Sequence, residues 1–119
     1  MILKQTTRGD IVILTITETS ELGINNTEEL WKELLRIVAD EKTKIVLNMK
    51  NISTVVSRTI ANLARLTEDL RKRGGDLKIV VDEDSTIRGM AESYRVANLL
   101  AIFDTEQEAV TALETEGGK

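Results

Sequence analysis

Three short apolar runs, IVILTI (residues 11–16), KIVLNM (44–49) and LKIVVD (77–82), constrain the fold more than anything else in this chain. Each has the length of a strand, and a nearly unbroken apolar run of that length fits a central strand covered on at least one face. Between and after them lie segments whose apolar residues recur at helical spacing. TEELWKELLRIVADE carries Leu30, Leu34, Leu35 and Val38, with Trp31. Further stretches carry Ile60, Leu63, Ala64, Thr67 and Leu70, then Ile87, Met90, Ala91 and Tyr94, and finally Ala109, Val110 and Leu113. Residues 2–6 and 11–16 flank Arg8-Gly9-Asp10, which is turn chemistry, so the chain is expected to open with a hairpin. A short strand, AIF, precedes the last helix. The expected fold is α/β: a mixed, mostly parallel sheet of about five strands with four helices, in the order β-β-α-β-α-β-α-β-α, joined by right-handed crossovers. A length of 119 residues fits one domain over 1–119, with 115–119 read as a frayed tail.

Helix ends carry their own signals. Asn26, with Glu29 three residues later, has the spacing of a capping box and is expected to open the first helix. Ser57 is expected at the N-cap of the second, accepting a hydrogen bond from the backbone N–H of Thr59 or Ile60, worth about 1 kcal/mol. That helix should end at RKRGG, where Gly74 or Gly75 can take the left-handed conformation. Asp84 or Ser85 can cap the third helix, and Asp104 with Gln107 opens the last. TETSELGIN and the turn before Ser57 read as loops.

Composition excludes several function classes. The chain has no Cys and no His, which removes disulfides, thiol and imidazole nucleophiles and the usual zinc or haem ligand sets. Its formal charge of -4 opposes nucleic acid as the main partner, and one residue each of Trp, Tyr and Phe provides no stacking platform for bases. No phosphate loop and no G-x-G-x-x-G follows any strand. The apolar runs are far below the ~20 residues of a membrane helix, so no membrane insertion and a cytoplasmic location are expected. Asp82, Glu83 and Asp84 cluster at a strand end but read as a helix cap with solvated neighbours rather than a metal site. The run Glu68, Asp69, Arg71, Lys72, Arg73 reads as an exposed helix face whose signs suit the helix dipole. No enzymatic activity and no cofactor are expected.

The turn between KIVLNM and the second helix concentrates hydroxyls: Ser53, Thr54, Ser57 and Thr59. It lies at the carboxyl end of a central strand, where open α/β sheets meet ligands and partners. Capping accounts for one hydroxyl there. A phosphate at the same place would be favoured by the helix N-terminus and would repel an acidic or apolar surface, which makes Ser57 a candidate switch.

KIVLNMKNISTVVSRTIANL, the RKRGGDLKIVV that follows and the closing VANLLAIFDTEQEAVTAL together resemble the STAS domain, specifically the bacterial anti-sigma factor antagonists. The likeness runs from the first strand to the last helix. It implies a STAS-like domain in which Ser57 is the phospho-acceptor, with Thr59 and Thr54 as alternatives. The implied partner is an anti-sigma factor with serine kinase activity, bound when Ser57 is unmodified and released when it is phosphorylated. The implied docking surface is made by Gly23, Ile24, Asn25 and Asn26 before the first helix, and by Ile52, Thr54, Val55, Val56, Ser57, Arg58, Thr59 and Asn62 around the second, with that helix's exposed face. The chain departs from the family pattern at four places: Val56 stands where the family has Asp, Arg58 where it has a second small residue, Thr59 where it has Gly, and Gly23 where many members carry a partner-contacting Asp. Two other readings stay open, a constitutively binding STAS subunit of a larger signalling or transport assembly in which Ser57 only caps, and a small-molecule or nucleotide-sensing module in the strand-end crevice.

Overall fold

The computed structural model describes residues 3–17, 21–39, 43–83, 85–93 and 99–117. In chain order the elements are β1 (Leu3–Arg8), β2 (Ile11–Ile16), β3 (Glu21–Leu22), α1 (Ile24–Ala39), β4 (Lys44–Asn48), β5 (Thr54–Val55), α2 (Ser57–Lys72), β6 (Asp76–Val80), α3 (Thr86–Ser93), β7 (Ala101–Phe103) and α4 (Glu106–Gly117). Five strands form the main sheet in the order β1-β2-β4-β6-β7, with β1 antiparallel to β2 and every other pair parallel. This is the mixed sheet with an opening hairpin that the apolar runs predict. The short β3 and β5, read from sequence as loops, pair with each other in parallel as a separate two-stranded sheet.

The strand order explains the layers. The parallel strands are laid down one after another in a single direction across the sheet, so crossovers of one hand place α1, α2 and α3 on the same face. On that face Val12, Leu14, Ile45, Leu47, Leu77 and Ile79 pack with Leu30, Leu34 and Val38 of α1, Ile60, Leu63 and Leu70 of α2, and Ile87 and Ala91 of α3. Only α4, which follows the last strand, covers the opposite face among the described helices. There Ala109, Val110 and Leu113 meet Ile11, Ile13, Val46, Val80 and Phe103. Alternate residues of β2 and β4 thus enter opposite cores, which is why their sequences are apolar throughout. Full burial of each such side chain is worth about 1.5–3 kcal/mol.

Four helix-end expectations need correction. α1 begins at Ile24, ahead of Asn26; Asn26 is its third residue and its Oδ1 accepts the N–H of Gly23 at 2.7 Å, half of a capping box in a register earlier than Asn26–Glu29. α4 is opened by Thr105 and Glu108: Thr105 Oγ1 accepts the Glu108 N–H at 3.1 Å and donates to Glu108 Oε1 at 3.0 Å, while Asp104 pairs instead with Arg88. α4 also continues through Gly117, into the segment expected to fray. The correction at Ser57 belongs to the site. Ser85, by contrast, caps α3 as expected, accepting the Ile87 N–H at 3.1 Å; Asp84 and Tyr94 lie outside the described residues. Leu35, counted in the apolar stripe of α1, is 45% exposed, because it sits about 100° around the helix from Leu34.

The end of α2 is closed by a Schellman motif. Gly74 has φ +87°, the N–H of Gly75 bonds the Leu70 carbonyl at 2.8 Å and that of Gly74 the Arg71 carbonyl at 3.2 Å. Gly75 has a separate reason to lack a side chain, since a Cβ there would lie 2.0 Å from the Thr43 carbonyl oxygen. Beside it the buried Asp76 accepts bonds from Lys78 Nζ at 2.9 Å, Arg71 Nε at 2.9 Å and the Leu77 N–H at 2.8 Å. Burial opposes the charge of Asp76, but Lys78, the Leu77 N–H and Arg71 together outweigh it and hold the carboxyl below the ordinary carboxylate range. Lys78, itself buried on the α4 face, also lies over the Phe103 ring at 5.9 Å from its centroid.

Candidate functional site

The site is assembled at the carboxyl end of the parallel sheet by the β3–β5 pair. Glu21 pairs with Thr54 and Leu22 with Val55, so the segment leading into α1 and the segment leading into α2 run side by side. Both candidate partner loops therefore arrive at one place. A second tie fixes the helices they open: Thr27 and Thr59, each 2% exposed, join their hydroxyls at 3.1 Å between the first turns of α1 and α2. Sequence reasoning gave Thr27 no role. Its signal is faint, a β-branched hydroxyl where the apolar stripe of α1 would admit a hydrophobic residue.

Val56, not Ser57, occupies the N-cap of α2. Val55 still belongs to β5, Val56 follows with extended backbone (φ -84°, ψ 157°), and the helix starts at Ser57 with no side-chain capping bond from the residue before it. Ser57 is thus the first helical residue, exposed, and the capping role expected of it is not the one it has. Helix N-termini leave N–H groups without intrahelical partners and carry a partial positive charge, so an exposed hydroxyl here sits where an anion is stabilised.

The remaining candidates divide by exposure. Thr54 and Arg58 are exposed, and Val55, Val56, Asn26, Gly23 and Asn62 are half-buried at the same surface. Ile24 and Asn25 lie in the first turn of α1. Ile52 is buried at 3% exposure and belongs to the core. Thr59 is buried with its hydroxyl on Thr27, so of the three hydroxyls named as acceptors only Ser57 and Thr54 reach solvent. Arg58 lies 3.5 Å from Glu28 across the helix pair, an exposed contact worth little by itself.

Two hollows border this surface. One, of about 320 Å³, runs between α1 and α2 and is lined by Thr27, Glu28, Trp31, Lys32, Arg58 and Asn62. Its residues at 28, 31 and 32 on one helix and at 58 and 62 on the other are spaced at helical turns, a pattern that becomes legible only once the two helices are known to start together. The other, of about 240 Å³, lies beyond β4 and β6 and is lined by Lys50, Asn51, Ile52, Ser53, Asp82 and Ser85. Thr86 Oγ1 donates to the Ser53 carbonyl at 3.2 Å and so ties this turn to α3. Glu83 is exposed. Among the described residues no helix is long and apolar enough to cross a membrane.

No curated protein matches the chain in sequence. Solved structures match it closely in shape. TM1081 of Thermotoga maritima, assigned as an anti-sigma factor antagonist, superposes with a TM-score of 0.81 at 18% identity, over 94% of this chain and 94% of that one. An anti-sigma factor antagonist from Mycobacterium paratuberculosis gives 0.81 at 18% identity, over 94% and 92%. The anti-sigma factor antagonist SpoIIAA in its unphosphorylated form gives 0.75 at 15% identity, over 95% and 96%. At these identities the likeness is one of fold. The STAS domain model, however, matches the sequence itself over residues 3–109, and with most of its length so matched the chain belongs to the STAS-domain family.

Proposed function

We propose that this chain is an anti-sigma factor antagonist: a protein-binding module that docks an anti-sigma factor with serine kinase activity, frees a sigma factor by doing so, and lets go when Ser57 is phosphorylated. The observation that carries the reading is the position of Ser57, exposed at the first residue of α2 on the surface where the β3–β5 pair brings both loops together. The antagonists that share the fold support the role, and the structure of one of them, SpoIIAA, is of its unphosphorylated form.

The chemistry follows from that position. The unmodified surface offers Gly23, Asn26, Thr54, Val55, Val56, Ser57, Arg58 and Asn62 to a partner. Phosphate on Ser57 adds a charge of roughly -1.5 to -2, which the N-terminus of α2 stabilises within the chain and an acidic or apolar partner surface rejects. The chain is then the substrate; the magnesium and phosphate positioning belong to the kinase.

A second reading, constitutive binding without modification, draws on one observation: Val56 gives no side-chain acceptor beside Ser57, where the family's Asp would. Peptide mass spectrometry on the protein isolated from its native host in growth and in stress separates the two. Phosphate on Ser57 that varies with condition supports the switch, and Ser57→Ala should then hold the partner permanently. A cleanly recovered peptide that never carries phosphate overturns the switch in favour of constitutive binding.

A further inference from the structure

We infer that Arg58 is the clamp for a phosphate on Ser57, and that taking up the phosphate draws Arg58 off Glu28 and unlatches the groove between α1 and α2. The inference rests on the reading of Ser57 as a modified residue, and adds how the modification changes the surface around it. In the unmodified chain Arg58 Nη1 lies 3.5 Å from Glu28 Oε1. Both residues line the groove of about 320 Å³, Glu28 on its α1 wall with Trp31 and Lys32, Arg58 on its α2 wall with Asn62. The ion pair therefore spans the groove from wall to wall.

The phosphate is within reach of the same guanidinium. Ser57 and Arg58 are successive residues, with Cα atoms about 3.8 Å apart. Side chains on a helix lean toward its N-terminus, so the arginine stem and a phosphate on Ser57 extend past the same end of α2. Rotation about the arginine's own side-chain bonds brings the two together, with no movement of the backbone. Val56, at the N-cap, has no side-chain oxygen to compete for the guanidinium.

The two acceptors are unequal. Glu28 offers a single charge, and with the two side chains 62% and 64% exposed, water and salt weaken the pair. A phosphate brings a charge of roughly -1.5 to -2 and three strong acceptor oxygens, and it takes a guanidinium in the bidentate fashion. Arg58 thus changes partner. Glu28 loses its arginine, the groove loses the bridge across it, and negative charge stands on both the α1 wall and the start of α2. A partner that fits the neutral, bridged surface meets an open and acidic one.

The test uses the full chain with phosphoserine incorporated at position 57 during translation, so that no kinase is needed. Phosphorus-31 NMR follows the second ionisation of the phosphate, which lies near pH 6 in an unperturbed phosphoserine and which a paired cation lowers. Arg58→Gln should raise the midpoint by about half a unit or more. Lys32→Gln, which removes the same charge from the same groove, should raise it by clearly less. Acrylamide quenching of Trp31, the sole tryptophan, reads the groove. Phosphate should increase that quenching, and unmodified Arg58→Gln should already show the higher value. Both substituted positions are exposed, so circular dichroism should show the variants folded. A midpoint that Arg58→Gln moves no further than Lys32→Gln does, or a Trp31 quenching that phosphate leaves unchanged, overturns the inference. The two claims fail separately: a native protein that never carries phosphate defeats the switch and leaves these titrations as they are, whereas a midpoint indifferent to Arg58 defeats the clamp and leaves the switch standing.

Discussion

The two ends of α2 are built on opposite plans. At the C-terminal end the polar groups are used up by the fold: the Schellman bonds engage the last carbonyls, and Arg73 Nη2 reaches the Val38 carbonyl at 2.7 Å. Arg71 bridges Asp76 and the Leu99 carbonyl, the latter at 3.0 Å. At the N-terminal end the residue before the helix is a valine, which has no oxygen to offer, and the next two side chains are an exposed Ser57 and an exposed Arg58. Capping is among the cheapest stabilisations open to a sequence, and one end of this helix has it in full while the other forgoes it. An end whose carbonyls are already satisfied has nothing left for a ligand. The open end keeps a partial positive charge and an accessible hydroxyl, the combination a phosphate switch requires.

The largest test of this contrast is at the closed end. Asp76→Ala removes the carboxylate that the buried Lys78 Nζ bonds at 2.9 Å, and breaking a buried pair from one side costs about 3–5 kcal/mol, to be read from urea denaturation. A loss near zero would mean that the closed end is not held by its charges. The same carboxyl predicts an acid response. Its folded pKa is depressed, so its contribution is fully present above the unfolded value of about 3.9 and is lost as pH falls through the folded one. The wild-type stability curve should therefore drop more steeply below about pH 4 than that of Asp76→Asn.

Next in size is the tie beneath the open end. Thr59→Val leaves the buried Thr27 hydroxyl without its partner and should cost about 1–3 kcal/mol, whereas the double variant Thr27→Val with Thr59→Val should recover most of that loss. A double-mutant cycle with no coupling would show that the two helix starts are not joined by this bond.

The contrast was only partly legible in the sequence, for identifiable reasons. The main sheet was readable because IVILTI, KIVLNM and LKIVVD are apolar on both faces, and the C-terminal end of α2 because RKRGG carries its glycines and bases in the right order. The open end was misread by a single residue. Serine is a favoured N-cap, so Ser57 claimed that place; what displaced it was β5, whose pairing keeps Val55 extended and carries the strand conformation on into Val56. A two-residue strand has no periodicity to detect, so neither β3 nor β5 could be seen in advance. The same pairing brings Gly23 to the start of α1, which moves Asn26 inside the helix. Thr59 was named as an acceptor because hydroxyls look alike in sequence, and only burial separates it from Ser57.

A smaller substitution would erase the difference between the two ends. Val56 already has the extended backbone of an N-cap, so Val56→Asp needs only to supply the missing oxygen. It should stabilise the chain by about 1 kcal/mol and raise the melting temperature by about 4 °C. No gain in thermal denaturation would mean that the first turn of α2 finds its partners elsewhere.

The smallest effect concerns the Arg58–Glu28 ion pair at the open end. Arg58 and Glu28 lie 3.5 Å apart with side chains 62% and 64% exposed, so water and salt screen both. Glu28→Ala should change stability by no more than about 0.5 kcal/mol, and added salt should leave that difference unchanged. A loss several times larger would show that Arg58 is held as firmly as the arginines of the closed end, and the contrast between the two ends would then rest on Ser57 alone. A negligible loss leaves Arg58 at liberty to turn toward whatever docks on this surface, which is how a contact seen across the helix pair can be present in the structure and still contribute nothing to its stability.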